Sequence, residues 1–147
     1  MKLFAGFSQP CIILSLGRSG SNLLCNTIGR SIDVLPVTRF VKHVQDLVYE
    51  PDDMSPVHTH EKFSLARTIN YKRVFNLRRD CRETILSFIL GLHYDRFHQL
   101  SSDAAPELVP FEFSDWKWLN NFCMYYKQWH EFYSNQLQAD DLVVIYE

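Results

Sequence analysis

The order of apolar and polar positions divides the chain into strands and helices that alternate. Cys11 to Leu16 is a short, unbroken apolar run with two isoleucines, bounded by Pro10 and Gly17. Such a run suits a strand covered on both faces in a parallel sheet. Beyond a Gly/Ser stretch, Leu24, Ile28 and Ile32 recur every four residues, which predicts a helix with one face turned inward. Val37, Phe40, Val41, Val44, Leu47 and Val48 supply a second helical face over 37–50, ending near Pro51, and 51–56 reads as a loop.

Val57 to His60 is a very short strand candidate, and Arg73 to Leu77, RVFNL, is a clearer one with an apolar helix, Glu83 to His93, behind it. Gln99 to Phe113 is rich in Pro, Ser and acidic groups and predicts one long loop. Loops of that length are often functional. Ser114 stands where it can cap a helix in which Trp118, Phe122, Tyr125, Trp129 and Phe132 fall at three- and four-residue spacing, mostly a core face. Asp141 then precedes LVVIY, an interior parallel strand by composition. Strands alternating with helices predict a three-layer α/β/α domain with a mostly parallel sheet. There is no internal repeat and no low-complexity tract.

Composition adds bounds to this picture. With 147 residues, 46% of them hydrophobic, the chain suffices for one domain with a core and is short for two. The net charge of −2 conceals an asymmetry, since residues 1–100 carry 13 Lys/Arg against 9 Asp/Glu and residues 101–147 carry 2 against 8. The positive part is where an anionic ligand is expected. Neither part has the basic run that a nucleic-acid groove needs, so nucleic acid is not the expected partner. Cys11, Cys25, Cys81 and Cys123 stand singly, with no CxxC pair, and read as reduced and buried. Ser8, Gln9 and Pro10 break the N-terminal apolar run before it reaches signal-peptide or membrane-span length. A soluble, cytoplasmic protein is the resulting expectation.

The first candidate chemistry lies in Gly17-Arg18-Ser19-Gly20-Ser21-Asn22, between the first strand and the first helix. Gly17 and Gly20 allow tight turns, and the helix start aims unpaired N–H groups and a positive dipole end at the loop. Arg18 adds a permanent cation, and Ser19, Ser21 and Asn22 carry further donors for phosphate oxygens. The competing reading is an ordinary Gly/Ser turn. A Walker A loop is excluded, because Gly20 is followed by Ser21 and Asn22 where that motif needs Lys and Ser/Thr.

The segment Cys11 to Ile28, CIILSLGRSGSNLLCNTI, resembles the 5′-phosphosulfate loop of sulfotransferases. In RVFNLRRDCRETILSF, Arg79 at a strand end and Ser87 eight residues later resemble the family's 3′-phosphate motif, with Cys81 where many relatives have proline. A guanidinium and a hydroxyl can grip one phosphate when the chain turns back between them. Taken alone, an exposed arginine and a serine bonded into its own helix are each common. Val57-His58-Thr59-His60 is similar to the Lys-Thr-His strand end of cytosolic sulfotransferases, with His58 in place of lysine, and DDLVVIYE resembles a late stretch of the form LVVRYE.

The resemblance spans about Cys11 to Glu147 and implies a single P-loop-type sulfotransferase-like domain, 1–147, lacking the usual C-terminal portion or completed by another subunit of a homo-oligomer. It implies 3′-phosphoadenosine 5′-phosphosulfate (PAPS) as co-substrate, no metal, and sulfuryl transfer to a hydroxyl or amine of a small-molecule or glycan acceptor. Arg18, Ser19, Gly20, Ser21, Asn22, Leu23, Arg79 and Ser87 then bind the nucleotide, and Arg18 and His60 act in catalysis. An imidazole titrating near neutrality suits a general base. Glu61 is the alternative base, because some carbohydrate sulfotransferases use a glutamate. His58 and His60 could instead begin a metal site, without a persuasive third ligand. Two other functions compete: a nucleotide-binding module without catalysis, and a P-loop kinase or nucleotide hydrolase.

Overall fold

All five residues of strand β1, Cys11–Ser15, are buried, as a strand covered on both faces requires. In the computed structural model of the chain, residues 8–32, 39–62, 65–78, 80–94, 107 and 109–146 are described. Helix α1 spans Ser21–Ser31 and strand β2 Arg39–Phe40, followed by β3, Val57–Thr59, and β4, Lys72–Arg78. Helices α2, Cys81–His93, and α3, Trp116–Ser134, precede β5, Leu142–Tyr146. The five strands form one sheet in the order β2-β3-β1-β4-β5, with every neighbouring pair parallel.

Side chains alternate between the faces of a strand, and β1 shows what each face packs on. Ile12 and Leu14, with Leu16, meet Phe75 of β4 and Trp129 and Tyr133 of α3. Cys11 and Ile13 meet Val74 of β4 and Cys25 and Ile28 of α1. Helices α1 and α3 therefore cover opposite faces, which makes three layers. Ile12, Ile13 and Leu14 have no exposed surface at all. Burial on that scale stabilises by about 1.5–3 kcal/mol for each such side chain. Helix α2 runs beside α3, where Phe88 and Phe122 have ring centroids 4.6 Å apart. No helix among the described residues is long and apolar enough to cross a membrane.

Several sequence expectations are corrected. The helix expected over 37–50 is absent from the described residues, which hold instead β2 and a 3₁₀ turn at Val44–Asp46. Four of the six apolar residues of that stretch are valines, whose branching at Cβ disfavours helix and favours strand. Arg39 and Phe40 pair with Val57 and His58, and the N–H of Val41 continues the ladder to the His58 carbonyl at 2.9 Å.

The cap of α3 is Asp115 rather than Ser114: its carboxylate accepts from the Trp118 N–H at 2.9 Å. The LVVIY strand lies at the sheet edge, with β4 as its one neighbour among the described residues and with Val143 and Ile145 exposed. Of the cysteines, Cys11 and Cys25 are buried but Cys81 and Cys123 are exposed, and all four are free thiols. Most of the expected loop 99–113 lies outside the described residues; 109–113 has no regular secondary structure.

Candidate functional site

The strand order places a topological switch point at the carboxyl end of β1. From β1 the chain passes through α1 to β2 at one edge and returns to β3; from β3 it crosses β1 to reach β4 on the other side. Connections leaving β1 and its neighbour β4 thus diverge to opposite sides. In open α/β sheets ligands bind outside the carboxyl ends of the strands at such a switch point. The segments following β1, β3 and β4 are the ones that carry the sequence-derived candidates. A cavity of about 520 Å³ lies elsewhere, lined by Arg73 at the start of β4 and by Gln138 ahead of β5, at the opposite ends of the strands.

The loop after β1 contains two residues of left-handed backbone, on either side of Ser19. Arg18 has φ 64°, and Gly20 has φ 80° and ψ 19°. Arg18 is the one residue other than glycine with positive φ among the described residues. That conformation costs a residue with a Cβ roughly 1–2 kcal/mol. Gly17 is fixed by space: a Cβ there would stand 2.8 Å from Phe88 Cζ of α2. The Arg18 side chain reaches the same helix, where its Nε donates to Ser87 Oγ at 2.8 Å. The two segments singled out from sequence, separated by 69 residues, therefore meet side by side.

Gly20 is the N-cap of α1 and, as a glycine, has no side chain with which to cap it. The other two helices are capped by carboxylates, Asp80 accepting from the Arg82 N–H and Asp115 from the Trp118 N–H. Helix starts carry N–H groups without intrahelical partners and a positive end of the peptide dipole.

Ser19 is buried, and its hydroxyl donates to the Leu16 carbonyl. Its own carbonyl accepts from Asn76 Nδ2 of β4 at 2.7 Å. What Ser19 offers a ligand is accordingly backbone and not its hydroxyl proton. Ser21 is buried, Asn22 half-buried and Leu23 exposed on the first turn of α1. Arg79 lies outside the described residues.

His60 follows β3 directly, and its Nδ1 lies 2.8 Å from the Ser15 carbonyl. A carbonyl can only accept, so Nδ1 carries the proton and Nε2 is the basic nitrogen. The Ser15 hydroxyl is 3.3 Å from the same Nδ1. Two tyrosines of α3 hold the chain at this point and just after it: Tyr125 donates to the His60 carbonyl at 3.1 Å and Tyr133 to the Glu61 carbonyl at 2.7 Å. Burial, and then the nearby Glu61 carboxylate, raise the Tyr125 phenol above its ordinary range and keep its proton in place for that bond. The Glu61 carboxylate is 3.8 Å from His43 Nδ1. His58 is buried beside Phe40, with ring centroids 5.0 Å apart. Among the described residues no group of three or more His, Cys, Asp and Glu could hold a metal ion.

Three positioning groups were missed by sequence reading. Asn76 sits inside an apolar run, and Tyr125 and Tyr133 lie on a helix whose aromatic spacing reads as core. Only a polar residue within RVFNL, unexplained by burial, signalled one of them. The buried thiols are chemically quiet, since burial pushes Cys25 up to about 12 and Cys11 higher still. Comparison of the chain with models of protein families, with curated proteins and with solved structures gave no match.

Proposed function

We propose that the chain is a P-loop-type sulfotransferase domain that takes PAPS as co-substrate and transfers its sulfuryl group to a hydroxyl or amine of a small-molecule or glycan acceptor. The observation that carries this reading is the hydrogen bond from Arg18 Nε to Ser87 Oγ, which joins the two segments that resemble the two phosphate motifs of that family. The glycine at the start of α1 and the positive φ of Arg18 and Gly20 fit an anionic group, because concave backbone of this kind presents N–H donors.

PAPS supplies the activated sulfuryl group, and the chain supplies charge, orientation and a base. His60, its Nδ1 proton held by Ser15, takes the acceptor proton at Nε2 as the acceptor oxygen or nitrogen bonds to sulfur. Arg18 and the N–H groups of the α1 start meet the charge left on the phosphate oxygen when its bond to sulfur breaks. Preorganised donors aimed at developing charge are usually the largest catalytic contribution. Arg79 and Ser87 hold the 3′-phosphate and so distinguish this donor from ATP. The reading places the protein in the cytoplasm.

Calorimetry with adenosine 3′,5′-bisphosphate and with ADP, on the wild type and on Arg79→Ala, tests the donor. The bisphosphate is expected to bind more tightly, with the preference lost in the variant. Equal affinity for the two nucleotides in the wild type would sink the assignment. Preferential binding without transfer of labelled sulfate to any acceptor leaves a nucleotide-binding module, and Mg²⁺-dependent ATP turnover points to a hydrolase or kinase.

A further inference from the structure

Asn76 is a polar residue at 2% exposure in the middle of β4, flanked by Phe75 and Leu77. Burying a carboxamide is unfavourable unless it is hydrogen-bonded, so its partner explains its presence. That partner is the carbonyl of Ser19, 57 residues earlier, at 2.7 Å from Nδ2. Asn76 is paired in register with Ser15, the last residue of β1, and so stands directly beneath the loop that β1 feeds.

The Ser19 carbonyl and the Gly20 N–H belong to one peptide unit. In a planar trans peptide these two groups point in opposite directions, and no peptide bond among the described residues is cis. A carbonyl drawn down toward β4 therefore turns the Gly20 N–H the opposite way, away from Asn76 and outward from the carboxyl end of β1. The Ser19 hydroxyl, bonded to the Leu16 carbonyl, ties the same residue from its side chain. Arg18 and Gly20, on either side of Ser19, both have positive φ.

We infer that Asn76 is the positioning residue of the anion site: by holding the Ser19 carbonyl inward it aims the Gly20 N–H at the ligand. This rests on the reading of the loop as a phosphate site and adds to it a residue on another strand that never touches the ligand. The side chain acts through the peptide, so its effect falls on ligand affinity and on the direction of one N–H group.

Two variants test it. Asn76→Leu removes the donor. Asn76→Asp keeps size and shape, but as a carboxylate it repels the Ser19 carbonyl, and as a carboxylic acid it donates to it. Leaving a buried carbonyl without its partner has a free-energy consequence that corresponds to about a ten- to hundredfold loss of affinity for adenosine 3′,5′-bisphosphate. For Asn76→Asp the loss relative to wild type is expected to be full at pH 8 and to shrink as pH falls to 5 and the carboxyl takes up its proton. The Gly20 amide resonance, followed by ¹⁵N NMR without nucleotide, is expected to shift in both variants, and for Asn76→Asp to return toward the wild-type position at low pH.

Wild-type affinity in a folded Asn76→Leu protein, or a pH-independent ratio for Asn76→Asp, overturns the inference. Loss of the native circular dichroism in both variants assigns Asn76 to sheet stability and overturns it as well. A wild type that does not prefer the bisphosphate defeats the proposed function instead, and the Gly20 amide in the unliganded variants then decides whether Asn76 turns the peptide.

Discussion

Arg18 of the loop after β1 donates from Nε to Ser87 Oγ on α2 at 2.8 Å, and neither side chain is fully buried. A guanidinium bonded to a neutral hydroxyl keeps its charge uncompensated by that contact, so the bond orients the cation without neutralising it. Ser87→Ala is expected to weaken adenosine 3′,5′-bisphosphate binding about tenfold, the usual scale of one charge-assisted hydrogen bond. Calorimetry reads this directly. Because the bond is partly exposed, the melting temperature is expected to change little, and a large drop would make Ser87 a packing residue instead.

Gly17 is held by contact and not by backbone conformation. Gly17→Ala puts a methyl group 2.8 Å from Phe88 Cζ, and Phe88 is itself backed by Phe122 at 4.6 Å. Overpacking of this kind destabilises by about 1–3 kcal/mol. Urea denaturation is the measurement, and the double variant Gly17→Ala/Phe88→Leu is expected to recover much of the loss. No recovery would place the cost in the loop itself.

The far end of the sheet is closed by Arg73, whose Nε lies 2.6 Å from Asp141 Oδ1, with both side chains nearly inaccessible to water. Asp141→Ala leaves a buried guanidinium short of its counter-charge, which costs about 3–5 kcal/mol. Arg73→Met/Asp141→Leu removes both charges and is expected to lie much nearer to wild type. Guanidinium denaturation of the three proteins separates the cost of breaking the pair from its net worth.

His130 packs against Trp129 and Tyr126 in α3, and burial holds its imidazole below the ordinary value of 6.5. The folded protein thus resists a proton that the unfolded chain accepts. Stability is undiminished above the unfolded value and falls as pH drops through 6.5 toward the lower folded value. His130→Gln is expected to flatten this part of the stability profile, measured as melting temperature between pH 7 and 5. An unchanged slope would assign it to other groups that titrate in the same range.

The legible part of this molecule is the part written in short-range patterns. Cys11 to Leu16 reads as a buried strand because neighbouring positions share one environment on each face, and the Gly/Ser loop follows at once. The loop residues therefore stand together in the sequence, and Ser87 is read with them through its interval from a strand end. The run of valines over 37–50 misled, because three- and four-residue spacing describes a helix face whether or not the backbone tolerates it, and a two-residue strand such as β2 is too short to show alternation. Asn76 escaped for another reason. Its role is defined by a carbonyl 57 residues away, and no local pattern encodes which backbone oxygen a buried amide meets. Tyr125 reads as a core aromatic but is exposed, and Tyr133 is buried in the core; in both it is the hydroxyl at the ring's tip that holds the chain beside His60.

The left-handed backbone of Arg18 sets stability and chemistry against each other at a single position. Glycine there would relax the turn, while it would also delete the loop's cation and the tether to α2. A library screened for heat resistance alone would be drawn toward that replacement, and one screened for ligand retention would be drawn away from it. Residue 18 is thus the place where the two selections, run in parallel on the same chain, are expected to part.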